Sequence, residues 1–264
     1  MRNFDYHVAS DVKAAETLLK AKEDGKLMAG GMTLLPTLKQ RLAAPSDVID
    51  IGSISALKGV KKDGNEIVIG AMTRHFDVAN SDIVKANIPA LASLASQIGD
   101  PAVRHRGTIG GSIANADPAA DYPGGCMGLG ATIVTTKRKI KADDFFVGLF
   151  ETSLESDEIV TEVRFPIPQK AAYQKFRHPA SGYAVVGVMV AKFADGVRVG
   201  VTGSGPNAFR AKDFEAALSK DFSARAIENV NLSADGLLSD IHFSAEYRAH
   251  VTGVMARRAV AAAG

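Results

Sequence analysis

Residues 29–36 read AGGMTLLP, and residues 108–121 read TIGGSIANADPAAD. The first stretch joins a short strand signal, Lys26 to Ala29, to a helix that Thr33 can cap. A glycine pair between a strand and a helix leaves consecutive backbone N–H groups free, and such groups bind phosphate oxygens. One such loop is equally typical of a plain structural turn. Two loops from different parts of the chain can instead hold one pyrophosphate from two sides.

The known nucleotide-binding fingerprints are absent from the sequence. No G-x-x-x-x-G-K-[ST] motif occurs, and Gly203-Ser204-Gly205 is followed by Pro206-Asn207-Ala208, without the third glycine of a dinucleotide fingerprint. The sequence therefore excludes a P-loop and a Rossmann-type site.

Composition and charge restrict the class of protein further. The 264 residues are 46% hydrophobic and 23% charged, which is typical of a globular protein, and the net charge of +2 requires no nucleic acid partner. Cys126 is the only cysteine, so the chain cannot ligate an iron–sulfur cluster by itself. The six histidines show no metal-ligand spacing, so we expect no metal site. With no secretory signal and no apolar run long enough for a transmembrane segment, we expect a cytoplasmic protein.

The order of the predicted elements indicates an α+β fold. Residues 1–55 alternate helix and strand signals, and Ser10 is the expected cap of the first helix. Asp63-Gly64 predicts a β-hairpin. Residues 99–130 show no clear period and are expected to form an ordered binding loop. Pro166-Ile167-Pro168 is the expected boundary before a region of strands followed by helices.

The paired glycine stretches resemble those of the FAD-binding medium subunits of molybdenum hydroxylases. The resemblance is to the carbon monoxide dehydrogenase medium chain type, with the xanthine dehydrogenase FAD subunit more distant. Further matching segments extend it over nearly the whole chain, and they lie at residues 69–73, 103–107, 157–160, 173–176, 181–187 and 244–248.

This resemblance implies a two-subdomain FAD-binding fold of the vanillyl-alcohol-oxidase type. The FAD-binding domain would comprise residues 1–167, with subdomains at residues 1–55 and 56–167. A C-terminal α+β domain of the carbon monoxide dehydrogenase flavoprotein type would follow at residues 168–264. We expect FAD in the groove between the two subdomains.

The resemblance also implies a set of cofactor-binding residues. The first loop would hold the pyrophosphate through its backbone amides, and its residues are Ala29, Gly30, Gly31, Met32, Thr33 and Leu34. The second loop would approach from the other subdomain with Thr108, Ile109, Gly110 and Gly111, and Asn115 would lie beside them.

Four more residues are implied nearer the flavin, and each has a purely structural alternative. Asp121 would accept a ribityl or ribose hydroxyl, or it could cap a loop. Val160 would pack on the cofactor, or simply in a strand core. Lys175 would lie near the flavin, where a cation favours the anionic reduced form, or be a solvated strand lysine. Tyr183 would lie near the isoalloxazine, or in the core.

One position departs from the family pattern. Relatives often have histidine where Met32 stands, and in the wider fold a histidine near this position can anchor flavin covalently. Methionine cannot do so, and we therefore expect noncovalent FAD.

The function implied is electron transfer within a larger complex. Electrons from a molybdenum centre on a large subunit would pass through [2Fe–2S] clusters on a small subunit to FAD on this chain, which would have no catalytic residue of its own. Molybdopterin and the clusters are expected only on those partners, in a dimer of heterotrimers. The alternatives are a self-sufficient flavin oxidase of the same fold and a cofactor-free assembly protein. The substrate, whether carbon monoxide, a purine, an aldehyde or an N-heterocycle, is left open.

Overall fold

A small parallel sheet forms the N-terminal layer. In the computed structural model, which describes residues 1–263, β3 lies between β1 and β2 and pairs in parallel with both. The elements of this layer are β1 (Asp5–Val8), α1 (Val12–Ala21), β2 (Lys26–Met28), α2 (Leu34–Lys39) and β3 (Asp47–Asp50). Ala15 of α1 and Ile49 of β3 are fully buried in one hydrophobic cluster, which holds the helix on the sheet.

The cap of α1 differs from the sequence expectation. The carboxylate of Asp11 accepts a hydrogen bond of 2.8 Å from the amide of Ala14, which is the geometry of a helix N-cap. Ser10 donates its hydroxyl to Asp11 instead. The prediction of Ser10 was wrong by one residue, because the helix begins at Val12.

A five-stranded antiparallel sheet forms the second layer. Its strands are β4 (Val60–Asp63), β5 (Glu66–Gly70), β6 (Thr132–Thr135), β7 (Lys139–Lys141) and β10 (Val160–Pro166), and β8 (Phe146–Gly148) and β9 (Glu151–Thr152) form a separate hairpin. The strand order is β4-β5-β10-β6-β7, so β10 is the central strand. The hairpin predicted at Asp63-Gly64 is confirmed, and Gly64 has the positive φ of 57° that this turn requires.

Short helices fill the connection between β5 and β6. They are α3 (His75–Asn80), α4 (Asp82–Asn87), α5 (Pro89–Ser96), α6 (Pro101–Arg106), α7 (Ile109–Asn115) and α8 (Asp121–Leu129), and α9 (Ala142–Phe145) follows β7. The expectation of an irregular loop over residues 99–130 was therefore wrong. Small residues and glycines there conceal the helical period, because few large apolar side chains mark a helix face.

The C-terminal region has its own antiparallel sheet, of order β11-β12-β13-β14. Its elements are β11 (Lys170–Arg177), β12 (Ala184–Phe193), β13 (Gly196–Thr202) and β14 (Phe209–Arg210), followed by α10 (Lys212–Lys220) and α11 (Ala245–Ala263). The sheets change between Pro166 and Lys170, but one hydrophobic cluster contains both Phe165 and Tyr173. The core is therefore continuous across this change of sheet.

Glycines allow α8 to lie directly on the C-terminal sheet. A Cβ on Gly128 would be 2.6 Å from the carbonyl oxygen of Met189 in β12, and one on Gly124 would be 3.0 Å from the Cβ of Thr202 in β13. No larger residue fits at this distance. The same close packing buries the start of α8 at Asp121, which places that carboxylate beside β11.

Within residues 1–263, no helix is both long and apolar enough to cross a bilayer.

Candidate functional site

The two glycine loops predicted from sequence lie against each other. A Cβ on Gly30 would be 2.0 Å from the carbonyl oxygen of Arg106, so the first loop contacts the backbone that leads into the second. A Cβ on Gly111 would be 3.5 Å from the Cβ of Ala29. The tertiary structure therefore brings two glycine loops that are far apart in sequence into direct contact.

The first loop offers unpaired backbone donors. Among residues 1–263, the amides of Gly30, Gly31, Met32 and Thr33 find no hydrogen-bond acceptor. Gly31 has a φ of 73°, which a glycine adopts without strain and which turns the chain from β2 into α2. Four successive free amides before a helix form a surface suited to an anion.

The second loop uses most of its amides internally. Ile109 donates to the carbonyl of Thr73 at 3.1 Å, and Gly110 donates to that of Ala71 at 2.8 Å. The amide of Gly111 donates to the Thr108 hydroxyl, which caps α7, over a longer distance of 3.2 Å. This loop is therefore anchored to the strand end after β5, and the free donors belong mainly to the first loop.

A cleft of about 670 Å³ opens on one flank of the loop junction. Of the residues predicted to bind cofactor, only Ala29, Gly30 and Thr108 line it. Its walls also carry basic side chains, which are those of Lys58, Arg74, His105 and Arg106. Arg74 is paired with Asp77 at 2.7 Å, and the ring of His105 stacks on Phe76 with 4.1 Å between centroids.

Asp121 and Lys175 form a buried ion pair. The Lys175 ammonium lies 2.9 Å from Oδ2 of Asp121, and the two side chains are 1% and 4% exposed. The hydroxyl of Tyr173 donates to Oδ1 of the same carboxylate at 2.5 Å. Burial raises the pKa of Asp121, and the Lys175 charge and the Tyr173 hydrogen bond oppose that rise. Two strand residues thus hold one carboxylate at the start of α8.

A backbone carbonyl at the end of α5 accepts hydrogen bonds from two side chains of β11. Lys175 donates to the carbonyl of Gln97 at 3.2 Å, and Arg177 donates to it at 2.7 Å. Sequence analysis singled out neither Gln97 nor Tyr173 as a site residue. Tyr173 lies two residues before Lys175 and therefore on the same strand face, which is the one signal that could have identified it.

The remaining predicted residues differ in their burial and in their elements. Tyr183 is 45% exposed in the turn before β12, and partial burial, with smaller effects of the Asp117 and Asp121 carboxylates, raises the pKa of its phenol. Val160 is 6% exposed in the main core, next to Thr161, whose carbonyl accepts from the amide of Ala71. Asn115 ends α7 and is half-buried.

Comparison with known proteins places these features in a family. The family model described as the FAD binding domain in molybdopterin dehydrogenase matches residues 2–168. The chain is 36% identical to the carbon monoxide dehydrogenase medium chain of Hydrogenophaga pseudoflava, over 98% of this chain and 96% of that one. It is 35% identical to the nicotine 6-hydroxylase medium subunit of Paenarthrobacter nicotinovorans, with the same coverage.

A solved structure agrees with these sequence matches. The structure of carbon monoxide dehydrogenase from Hydrogenophaga pseudoflava that lacks the Mo-pyranopterin moiety of its molybdenum cofactor contains a chain that superposes with a TM-score of 0.91. The identity is 37%, and the match covers 99% of this chain and 97% of that chain. The predicted fold class and the predicted resemblance are confirmed.

Proposed function

This chain belongs to the family of FAD-binding domains of molybdopterin dehydrogenases, and we propose that it transfers electrons within a molybdenum-containing hydroxylase. FAD would bind noncovalently to it, receive electrons from the [2Fe–2S] clusters of a small partner subunit, and pass them to an external acceptor. A large partner subunit would hold the molybdenum centre. The assembly would be a dimer of heterotrimers.

The free amides of the first glycine loop are the observation that carries this proposal. A pyrophosphate is anionic and has several acceptor oxygens, and the amides of Gly30, Gly31, Met32 and Thr33 supply donors that the protein does not use. The residues therefore fit the cofactor. Ala29 and Leu34 would flank the phosphates without blocking them.

The second loop would complete the phosphate site mainly by lying against the first loop, and less by donating hydrogen bonds. Thr108 and Gly111 lie next to Ala29, and a glycine at 111 keeps that surface open to a ligand. Ile109 and Gly110 would hold the loop through their bonds to Thr73 and Ala71.

The flavin end of the cofactor would lie toward the buried ion pair. Asp121 would accept a ligand hydroxyl through lone pairs that Tyr173 and Lys175 leave free, since each carboxylate oxygen accepts more than one hydrogen bond. Tyr183, at the surface nearby, would cover the flavin ring. Asn115 and Val160 would bound the remaining length of the groove. When bound, FAD supplies the chemistry of accepting and releasing one or two electrons.

The cysteine content of the chain supports the proposal that the clusters lie on a partner subunit. A [2Fe–2S] cluster needs four ligands, and the one cysteine, Cys126, is buried with a pKa that burial raises far above its usual range. The protein's task would then be to bind and orient the flavin.

Co-purification tests this proposal directly. The chain should be produced with its neighbouring subunits, purified through a tag on this chain alone, and analysed for flavin, iron and molybdenum. We expect one FAD per copy of this chain, with iron and molybdenum present only when the partners are retained. A chain that holds no FAD either alone or in the complex would contradict the proposal. A chain whose flavin is reduced by a small substrate without metals would favour the self-sufficient oxidase.

A further inference from the structure

Strand register places Tyr173 beside a glycine that makes room for it. In the antiparallel pair of β11 and β12, Lys175 lies opposite Gly187, and Tyr173 lies opposite Met189. A Cβ on Gly187 would be 2.2 Å from the Tyr173 hydroxyl oxygen. The phenol therefore leans along the strand over Gly187, and this position brings its hydroxyl to Asp121.

The hydroxyl of Tyr173 and the ammonium of Lys175 occupy different oxygens of Asp121. Tyr173 donates to Oδ1 and Lys175 to Oδ2, and Tyr173 itself is only 3% exposed. Because both donors come from one strand, the plane of the carboxylate is fixed relative to the C-terminal sheet. A single donor would leave the carboxylate free to rotate about its χ2 torsion.

We propose that Tyr173 is a positioning residue for FAD: its hydroxyl holds the Asp121 carboxylate in the orientation that neutralises Lys175 and presents the remaining lone pairs to the cofactor. This inference rests on the proposed binding of FAD beside Asp121 and Lys175. Gly187 is part of this arrangement, because any side chain at that position would collide with the Tyr173 hydroxyl.

The hydrogen bond from Tyr173 to Asp121 should also affect the reduction potential of the flavin. Without the Tyr173 hydroxyl, the buried Asp121 carboxylate loses one of its two side-chain donors, so its negative charge is less well stabilised. The pKa of Asp121 rises, a larger fraction of the group is protonated, and a neutral carboxyl group no longer compensates the Lys175 charge. A less compensated cation stabilises reduced flavin, which carries the additional negative charge, and the reduction potential becomes more positive.

The test uses Tyr173→Phe, with Tyr122→Phe as the matched control. Tyr122 adjoins Asp121 in sequence and is fully buried, but no acceptor or donor in residues 1–263 pairs with its hydroxyl. FAD is titrated into the flavin-free chain, the reduction potential of the bound flavin is measured, and the melting temperature of the flavin-free form is recorded. Tyr173→Phe should raise the Kd for FAD about tenfold and shift the potential in the positive direction. Tyr122→Phe should leave both unchanged.

Gly187→Ala provides a second, independent variant. It should raise the Kd as Tyr173→Phe does. The two changes together should have less than their summed effect, because the 2.2 Å collision with the hydroxyl is gone in the double variant and only the milder contact with Cγ2 of Thr202, at 2.9 Å, and with the ring of residue 173 is left. Fully additive effects would overturn the proposal. So would a Tyr173→Phe protein with wild-type Kd and potential, even with a lowered melting temperature, since that result describes a purely structural role. Failure of the wild-type chain to bind FAD both alone and in the complex with its partner subunits would instead refute the proposed function and the inference together.

Discussion

Lys175 and Asp121 form their ion pair, of 2.9 Å, across the boundary between the C-terminal sheet and α8. Both side chains are buried, so solvent and salt screen the attraction between them much less than they screen a surface pair. A buried ion pair adds little stability over an apolar pair of similar volume, but the loss of one member leaves an uncompensated charge. The pair therefore makes the association of the C-terminal sheet with α8 dependent on two residues that we also assign to the cofactor.

Removing the Asp121 carboxylate should lower both the stability of the protein and its affinity for FAD. We expect Asp121→Ala to lower the free energy of unfolding by about 3–5 kcal/mol, because Lys175 stays buried without a counter-ion. The Kd for FAD should rise about ten- to a hundredfold, as for the loss of a hydrogen bond to a charged group. Urea denaturation and flavin titration measure the two effects.

An exposed ion pair supplies the control for this variant. Asp77→Ala breaks the pair with Arg74. The side chains of Arg74 and Asp77 are 48% and 39% exposed, so this change should lower the free energy of unfolding by less than about 1 kcal/mol. Adding Lys175→Met to Asp121→Ala should restore much of the lost stability without restoring FAD affinity. An Asp121→Ala protein as stable as the wild type would contradict the buried-charge argument.

Gly111 should be required for FAD binding but not for folding. Its Cβ would lie 3.0 Å from the Thr108 hydroxyl oxygen and 3.5 Å from Ala29, contacts that a small shift accommodates. A methyl group there occupies the surface proposed for the pyrophosphate. We expect Gly111→Ala to raise the Kd for FAD at least about tenfold with a nearly unchanged melting temperature.

Variants at two other glycines serve as controls that distinguish loss of cofactor from misfolding. Gly253→Ala, in α11, meets only ordinary contacts at 3.5 and 3.9 Å and should retain wild-type FAD affinity. Gly30→Ala would place its methyl group 2.0 Å from the carbonyl oxygen of Arg106 and should destabilise the fold itself. Equal flavin content in Gly111→Ala and Gly253→Ala would rule out the phosphate site at residue 111.

Stability should fall as the pH drops from about 6.5 to 4, owing in part to His75. Burial, with a smaller effect of the Arg104 charge, lowers the pKa of His75 to about 4. In the unfolded chain its pKa is about 6.5, so between these values the unfolded state binds the extra proton and folding is disfavoured. The contribution is about 3 kcal/mol, present in full above pH 6.5 and lost below pH 4.

The histidine contribution can be isolated by substitution. Unfolding free energies of the wild type, His75→Leu and His250→Gln are measured at several pH values between 4 and 7. His75→Leu should flatten the pH dependence, whereas His250→Gln, at an exposed position, should leave it as in the wild type. The same slope in all three proteins would show that His75 is protonated equally in both states.

The isolated chain should accept electrons without oxidising a hydroxylase substrate. It should show no flavin reduction with carbon monoxide, purines, aldehydes or N-heterocycles, because the only free cysteine is buried and no metal-binding group of side chains occurs within residues 1–263. Reduction of its flavin by an artificial donor, followed by transfer to an artificial acceptor, should still occur. Absorbance of the flavin follows each step. Rapid bleaching by one of these substrates, with partners and metals shown absent, would place a substrate site on this chain.

Local sequence determined the longer strands, the hairpin at Asp63-Gly64 and the glycine loops. Alternation of apolar residues and the Asp63-Gly64 turn act over a few residues, so the pattern is visible without the rest of the chain. The paired loops and their order along the chain were sufficient to predict the family and its fold class, which the comparisons confirm.

Only the tertiary structure decided which polar groups are hydrogen-bonded within the protein and which are left unpaired. The helix α8 lies on the C-terminal sheet through the close packing of Gly124 and Gly128, which leaves no hydrophobic period in the sequence. The amides of Gly110 and Gly30 have the same local chemistry, yet the first is bonded to Ala71 and the second is unpaired. The register of β11 and β12 places Tyr173 on Asp121, because hydrogen bonding and burial depend on neighbours distant in sequence.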